Sequence, residues 1–210
     1  MITPAPVSPP FAPRLIYWDV LLAPWTSEPE PVPEATFTPW ADPGWLAWNA
    51  HAVEVQIADF VGAFIRWSHP VLTLETGVGQ GFITRRYQTN RLLYESDDDW
   101  STRLPIKVEG ITPTATMIRQ ADLTILDSNF PLRFAELWLW YSEAKPDGWL
   151  FVHDTGTRHP PGTAYQLLGT TIRSFGLGGL WLDNPRGGWI GRRDGVTMKE
   201  VEGLWQTYRP

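Results

Sequence analysis

The pattern of apolar and polar residues predicts an amphipathic helix over residues 50–67. Apolar side chains recur there at i, i+4, i+7, i+8 and i+11, which is one face of a helix with 3.6 residues per turn. They are Val53, Ile57, Phe60, Val61 and Phe64. Because a proline disfavours helical backbone in the residue before it, Pro70 should end the helix.

Five apolar runs after this helix predict β-strands. They cover residues 71–74, 91–95, 106–111, 121–128 and 149–155. Acidic side chains stand at or near the ends of four of these runs: Glu75, Glu95, Asp127 and Asp154. Two further runs, 179–183 and 188–193, flank the turn sequence 184–187 and predict an antiparallel hairpin.

Helices are predicted between the strands. One is short, over residues 82–88, and another covers residues 163–175. A third begins at Pro131, since proline suits the first turn of a helix. Its predicted buried face, at i, i+3, i+4 and i+7, is Phe134, Leu137, Trp138 and Tyr141. Strands that alternate with helices predict an α/β fold, with a doubly wound, mostly parallel sheet.

Residues 1–45 differ from the rest of the chain. More than half of its 20 prolines lie here, together with four of its 13 tryptophans. Proline fixes φ and removes a hydrogen-bond donor, so we expect an extended arm with at most an edge strand over 15–22. The arm either packs its aromatic side chains on its own domain, or it docks on a partner protein or covers a substrate cleft.

Composition excludes several classes of protein. The chain has 210 residues, a formal net charge of −6 and no cysteine. The length suits one domain, and the lack of cysteine excludes disulfides, thiolate zinc sites and cysteine nucleophiles. The acidic balance disfavours a nucleic-acid partner held through phosphates. No apolar run is long enough for a membrane span, so we expect a soluble and, by default, cytoplasmic protein.

The turn after the first strand carries the clearest motif. Glu75 ends the strand, and Gly77, Gly79 and Gly81 follow at every second position. Glycine allows a sharp turn and a close approach to a ligand, and a helix that begins there presents unpaired N–H groups. A dinucleotide-binding turn has Gly-x-Gly-x-x-Gly. Phe82 takes the third glycine position, which disfavours an NAD oxidoreductase. A glycine-rich turn without a ligand is the simplest alternative.

The Glu-x-Gly-x-Gly-x-Gly register resembles motif I of class I S-adenosylmethionine-dependent methyltransferases. Residues 122–155 resemble later motifs of that family in the same order: Asp-Leu-x-x-x-Asp-Ser, a Lys-Pro-x-Gly turn in which Asp147 replaces a glycine, and His-Asp-Thr. The resemblance implies a seven-stranded Rossmann-like sheet that ends in the C-terminal hairpin. It divides the chain into the arm 1–45, a cofactor-binding domain 46–195 and a tail 196–210.

The resemblance also implies which residues bind the cofactor. The first-strand acid and the glycine turn would hold the methionine part. An acid at the end of the second strand would accept the ribose hydroxyls, as a bidentate carboxylate can. Glu95 stands there, with Asp97 as a near alternative. The implied cofactor-binding residues are Glu75, Thr76, Gly77, Gly79, Gly81, Thr84, Glu95 and Asp127.

Two mechanisms stay open for the methyl transfer itself. If the acceptor is a hydroxyl or an amine, a base must take its proton, and the candidates are Asp127, Asp154, His153 and His159. In catechol-type O-methyltransferases, acids at the positions of Asp127 and Asp154 hold a divalent metal. The third ligand there is asparagine, whereas this chain has Thr155. Mg²⁺, with water as a further ligand, is therefore the second mechanism.

The acceptor is least determined by the sequence. Residues 127–130 match the acid and the aromatic residue of the Asp/Asn-Pro-Pro-aromatic motif of nucleic-acid amino-methyltransferases, but both prolines are absent. The resemblance therefore favours a hydroxyl of a small molecule or sugar. The alternative from another class is a catalytically silent domain that the arm tethers into a larger assembly, for example a virus particle.

Overall fold

The computed structural model describes residues 55–79, 81, 83–96, 108–155, 164–182 and 187–208. The predicted arm, 1–45, lies outside these residues, and so do Asp97 and His159. In chain order the elements are α1 (Val55–Ser68), β1 (Leu72–Thr76), a 3₁₀ helix (Thr84–Arg86), β2 (Asn90–Tyr94), α2 (Ala115–Gln120), β3 (Leu123–Leu126), α3 (Phe130–Glu143), β4 (Trp149–His153), α4 (Ala164–Ser174), β5 (Gly178–Leu182), β6 (Gly188–Arg192) and α5 (Met198–Tyr208).

The strands form one sheet in the order β2-β1-β3-β4-β6-β5. β2, β1, β3 and β4 are parallel, whereas β6 is antiparallel to both β4 and β5. The chain runs from β1 outward to β2 and then returns to the other side of β1 as β3. The strand order therefore reverses beside β1, and the carboxyl ends of the strands at such a point form the usual ligand site of a doubly wound sheet. The predicted α/β fold class is confirmed.

The sheet has six strands among the described residues, where the sequence predicts seven. Part of the predicted third strand, 106–111, lies outside them. The rest contributes a single parallel bridge, between Tyr94 and Gly110. Within the same residues, no helix is both long and apolar enough to cross a membrane.

Helices cover both faces of the sheet because successive strand side chains point to opposite sides. α1 and α5 pack on one face, where Phe64 and Leu204 share a core cluster with Phe151 of β4. α2, α3 and α4 pack on the other face, in a cluster that includes Trp140 and Leu150. The predicted buried face of α1 is confirmed over the described residues, since its members are at most 1% exposed: Ile57, Phe60, Val61 and Phe64.

Two helical elements differ from the sequence prediction. The sequence predicts no element after Asp194, but α5 forms there and Val201 packs in the core with α1. The N–H of Thr197 donates to Glu200 Oε2 at 2.7 Å, and the N–H of Glu200 donates to Thr197 Oγ1 at 3.3 Å. These bonds form a capping box, which the sequence pattern Thr-x-x-Glu predicts. The predicted helix over 82–88 is reduced to the 3₁₀ helix, because Tyr87 is extended and its hydroxyl bonds to Glu75.

The predicted buried face of α3 is wrong at one important position. Trp138 is 55% exposed. Leu137 is buried as predicted, whereas Phe134 and Tyr141 are only half-buried against the core. The other buried side chains of α3 are Arg133, Glu136 and Trp140. The side chains of Arg133 and Glu136 point towards the ends of β1, β3 and β4. Glu136 accepts a hydrogen bond from Thr76 there, and Arg133 donates to Asp127 and His153.

Candidate active site

The glycine turn after β1 has the backbone that its motif predicts. Gly77, Gly79 and Gly81 have φ angles of 65°, 50° and 71°. This left-handed region is unfavourable for residues with a Cβ, so glycine is favoured at each position. The tightest contact is at Gly77, where a Cβ would lie 2.2 Å from the carbonyl oxygen of Asp127. The exits of β1 and β3 therefore touch through their backbones.

Backbone hydrogen bonds fix this turn between its neighbouring strands. The N–H of Gly77 donates to the carbonyl oxygen of Tyr94 at 2.9 Å, and the N–H of Asp127 donates to that of Thr76 at 3.1 Å. Within the turn, the N–H of Gly81 donates to the carbonyl oxygen of Val78 at 2.8 Å. The turn is thus held by β2 on one side and by the β3 exit on the other, at the point where the strand order reverses.

Glu75, the acid at the end of β1, is buried beneath the turn. It is 2% exposed, and its two oxygens accept hydrogen bonds from Thr84 Oγ1 at 2.8 Å and Tyr87 Oη at 2.6 Å. Burial raises the pKa of Glu75 from 4.5 to about 7, because the two neutral hydroxyl donors offset only part of the desolvation. The carboxyl group therefore also anchors the segment that follows the turn.

Glu95, the predicted ribose-binding acid, lies directly after β2. Its side chain is buried, and Oε2 accepts a hydrogen bond from the N–H of Gly79 at 2.6 Å. Glu95 and the glycine turn, which the sequence resemblance assigns to one cofactor site, are therefore in direct contact.

A third buried carboxyl group, Glu136 of α3, connects the loops at this edge. It accepts hydrogen bonds from Thr76 Oγ1 at 2.9 Å, Ser128 Oγ at 2.6 Å and Thr112 Oγ1 at 3.3 Å. Burial raises its pKa, although these hydroxyl groups and Arg133 act in the opposite direction. The sequence pattern does not indicate that Glu136 is buried, because a helical glutamate is most often on the solvent side.

Asp127, His153 and Asp154 come together at the ends of β3 and β4. Their potential ligand atoms all lie within 4.8 Å of one another. Nδ1 of His153 lies 2.9 Å from Oδ1 of Asp127 and 3.7 Å from Oδ1 of Asp154. The side chain of Asp127 is 13% exposed, whereas those of His153 and Asp154 are 0% and 2% exposed. Asp127 is thus the member of this acid cluster that reaches the surface.

Arg133 of α3 lies against the same acid cluster, and its side chain is only 4% exposed. Nη2 donates to Oδ1 of Asp127 and Nη1 to Oδ2 of Asp154, each at 3.0 Å. The sequence contains no spacing that pairs this arginine with acids 6 residues before it and 21 residues after it, so sequence reasoning missed it.

These contacts test whether the acid cluster suits Mg²⁺, the metal that the sequence resemblance leaves open. Both carboxylates already bind a permanent cation, the guanidinium group of Arg133. Oγ1 of Thr155, at the third ligand position, is buried and has no hydrogen-bond partner among the described residues. A lone hydroxyl is a weak ligand, so the residues present do not fit a bound divalent cation well.

No protein-family model matches the chain, and no curated protein matches it. Several solved structures match its fold. An O-methyltransferase candidate from Klebsiella pneumoniae is 14% identical, with a TM-score of 0.52 over 69% of this chain and 82% of that one. The SAH-bound methyltransferase PaMTH1 from Podospora anserina is 13% identical, with a TM-score of 0.56 over 88% and 97%.

A third similar structure is the cofactor-bound protein Rv0187 from MTB, which is 13% identical with a TM-score of 0.52 over 70% of this chain and 84% of that one. At these identities the comparison defines the fold. The chain has the Rossmann-like fold of class I S-adenosylmethionine-dependent methyltransferases.

Proposed function

We propose that this chain binds S-adenosylmethionine at the carboxyl ends of β1 and β2 and transfers its methyl group to a small-molecule acceptor. The observation that carries the proposal is the glycine turn itself. Three left-handed glycines follow Glu75 at the switch point of the sheet, and the second of them donates its N–H to Glu95. The cofactor-bound state of two structures with this fold supports the choice of ligand.

The residues around the turn divide into two groups in this proposal. Gly77, Gly79 and Gly81 provide backbone against which the methionine part lies, and Glu95 accepts the ribose hydroxyls. Glu75, Thr76 and Thr84 act mainly by holding the turn, since the two hydroxyl groups already donate to the carboxyl groups of Glu136 and Glu75.

On the acceptor side, Asp127 is the group that contacts the acceptor and takes or orients its proton. His153 and Asp154 are buried behind it, so they act as positioning residues. The sulfonium carbon is already electrophilic, so the main tasks of the protein are to align the acceptor and to exclude water. We favour a hydroxyl of a small molecule or sugar as the acceptor, in keeping with the O-methyltransferase description of one similar structure.

Calorimetric titration with S-adenosylhomocysteine (SAH), the demethylated product, tests cofactor binding. We expect the wild-type chain to bind SAH and Glu95→Gln to bind it about tenfold or more weakly, because a hydrogen bond to a charged group contributes about 1.5–3 kcal/mol. Glu143→Gln is the matched control. It removes an acid at the far end of α3 that pairs with Arg119 on the surface, and it should bind SAH as the wild type does.

Other outcomes of the titration would replace the proposal. Heat from NAD but none from SAH would indicate an oxidoreductase. No heat from S-adenosylmethionine, SAH or NAD would remove the enzyme assignment and favour a structural or docking subunit.

A further inference from the structure

The guanidinium group of Arg133 is held on all its nitrogen atoms. Besides its bonds to the two aspartates, Nε donates to the carbonyl oxygen of Ser128 at 2.7 Å, and Nη1 donates to that of His153 at 3.0 Å. The ring of Phe130 lies 4.9 Å from Cζ. Every one of these partners belongs to the β3 exit, the β4 exit or the first turn of α3. The position of the positive charge is therefore fixed by the fold.

One potential metal-ligand atom of each residue in the acid cluster is already engaged by this arrangement. Asp127 Oδ1 accepts from Arg133 Nη2 and lies within hydrogen-bond distance of His153 Nδ1. A carboxylate can only accept, so Nδ1 of His153 carries the hydrogen in this pair and has no lone pair for a metal. Asp154 Oδ2 accepts from Nη1. A divalent ion bound here would sit beside a guanidinium group that cannot lose its proton.

The backbone of Asp154 has an uncommon conformation and is held by a neighbouring strand segment. Its φ is 60°, a left-handed conformation that residues other than glycine rarely adopt. Its N–H donates to the carbonyl oxygen of Gly187, the residue before β6, at 2.9 Å. Strained residues of this kind persist where the surroundings determine their position, and they cluster at functional sites.

We propose that Arg133 is a built-in cation that takes the place of a divalent metal in the Asp127–His153–Asp154 cluster. The guanidinium group balances the two carboxylates, holds Asp127 at the surface and closes the cluster to Mg²⁺ and related ions. One consequence rests on the proposed function: methyl transfer by this chain does not depend on a divalent metal.

Titration of the full-length wild type with Mn²⁺ is the first test. After treatment with EDTA, free Mn²⁺ is followed by electron paramagnetic resonance, and thermal unfolding is measured with and without Mn²⁺. We expect no stoichiometric binding and no change in Tm. Binding of one Mn²⁺ per chain that Asp154→Asn abolishes would overturn the proposal.

Arg133→Met is the second test, because it removes the cation and keeps an apolar side chain of similar length. We expect this variant to bind Mn²⁺ at the freed carboxylates and to gain thermal stability from it. A folded Arg133→Met chain that binds no more Mn²⁺ than the wild type would contradict the exclusion of metal by Arg133.

If the Arg133→Met variant fails to fold, Arg133→Lys replaces it. A lysine ammonium group cannot bridge both aspartates with the same fork, so the expected result is Mn²⁺ affinity above that of the wild type; affinity equal to the wild type would contradict the proposal.

These metal titrations are independent of the methyltransferase assignment. Absence of SAH binding would remove the proposed function and leave the role of Arg133 intact. Stoichiometric Mn²⁺ binding by the wild type, together with normal SAH binding, would overturn the role of Arg133 and leave the proposed function intact.

Discussion

Glu75 and the Asp127–Asp154 pair lie at the same edge of the sheet, but different donors surround them. The two oxygens of Glu75 accept hydrogen bonds from the neutral hydroxyl groups of Thr84 and Tyr87. The two aspartates receive the guanidinium group of Arg133. Desolvation of a carboxylate is only partly offset by neutral donors, whereas a buried cation supplies an opposite charge. The comparison teaches that this one edge of the sheet holds buried acids in two ways, through neutral hydroxyl donors at Glu75 and through a buried cation at the two aspartates.

Arg133→Met should produce the largest loss of stability. It leaves two aspartates, with side chains 13% and 2% exposed, without their cation. Removing one partner of a buried ion pair is expected to lower the free energy of unfolding by about 3–5 kcal/mol. Urea unfolding at neutral pH measures it. A loss below about 1 kcal/mol would show that the two aspartates do not need this charge.

Glu75→Gln should change how stability depends on pH. Burial raises the pKa of the folded-state carboxyl group from 4.5 to about 7, so the folded chain holds this proton more tightly than the unfolded chain. The contribution is fully present below pH 4.5 and is lost as pH rises to about 7, a total of about 3 kcal/mol. Glutamine does not titrate, so this part of the pH dependence should disappear in the variant. Urea unfolding at several pH values, for both proteins, measures the difference.

Tyr87→Phe should have a smaller effect at the same site. It removes the hydroxyl group that donates to Glu75 Oε2 at 2.6 Å, and the loss of one bond to a buried carboxyl group is expected to lower stability by about 2 kcal/mol. That bond lowers the pKa of Glu75, so the pH-dependent loss should extend to higher pH in the variant. Thr84→Val is the matched variant for the other oxygen. An unchanged pH dependence in both would mean that these hydroxyl groups do not set the protonation of Glu75.

Arg119→Met should have the smallest effect. Arg119 pairs with Glu143 at 2.7 Å, but its side chain is 56% exposed. Solvent screens such a pair, so stability should change by no more than about 1 kcal/mol. Measured beside Arg133→Met, this variant separates the effect of burial from the effect of losing an arginine. Equal losses in the two variants would contradict that distinction.

The sequence is most informative where the structure depends on neighbours along the chain. The apolar period of α1 predicts its buried residues, and the glycine spacing predicts a turn that does have left-handed backbone at each glycine. The α/β class follows from the alternation of strands and helices. These features depend on local backbone geometry, which a short window of sequence contains.

The sequence is least informative where the orientation of a helix depends on distant polar groups. Its apolar pattern places Trp138 inside and does not select Arg133 or Glu136, whereas in the structure Trp138 is exposed and the two charged residues are buried. The groups that bring Arg133 inward include Asp154, 21 residues later, and Glu136 is bonded to Thr76, 60 residues earlier. No periodicity within α3 records these partners, so the cation of the acid cluster could only be found in three dimensions.

The contact at Gly77 has a mechanical consequence for any ligand of the turn. Because the carbonyl oxygen of Asp127 occupies the space where a side chain would begin, a shift of the turn towards β3 must push that residue in the same direction. The N–H of Asp127 is also bonded to Thr76, so a shift away pulls it back. The glycine turn and Asp127 therefore keep a fixed separation, and under the proposed function this would hold the cofactor and the acceptor at a constant distance from each other.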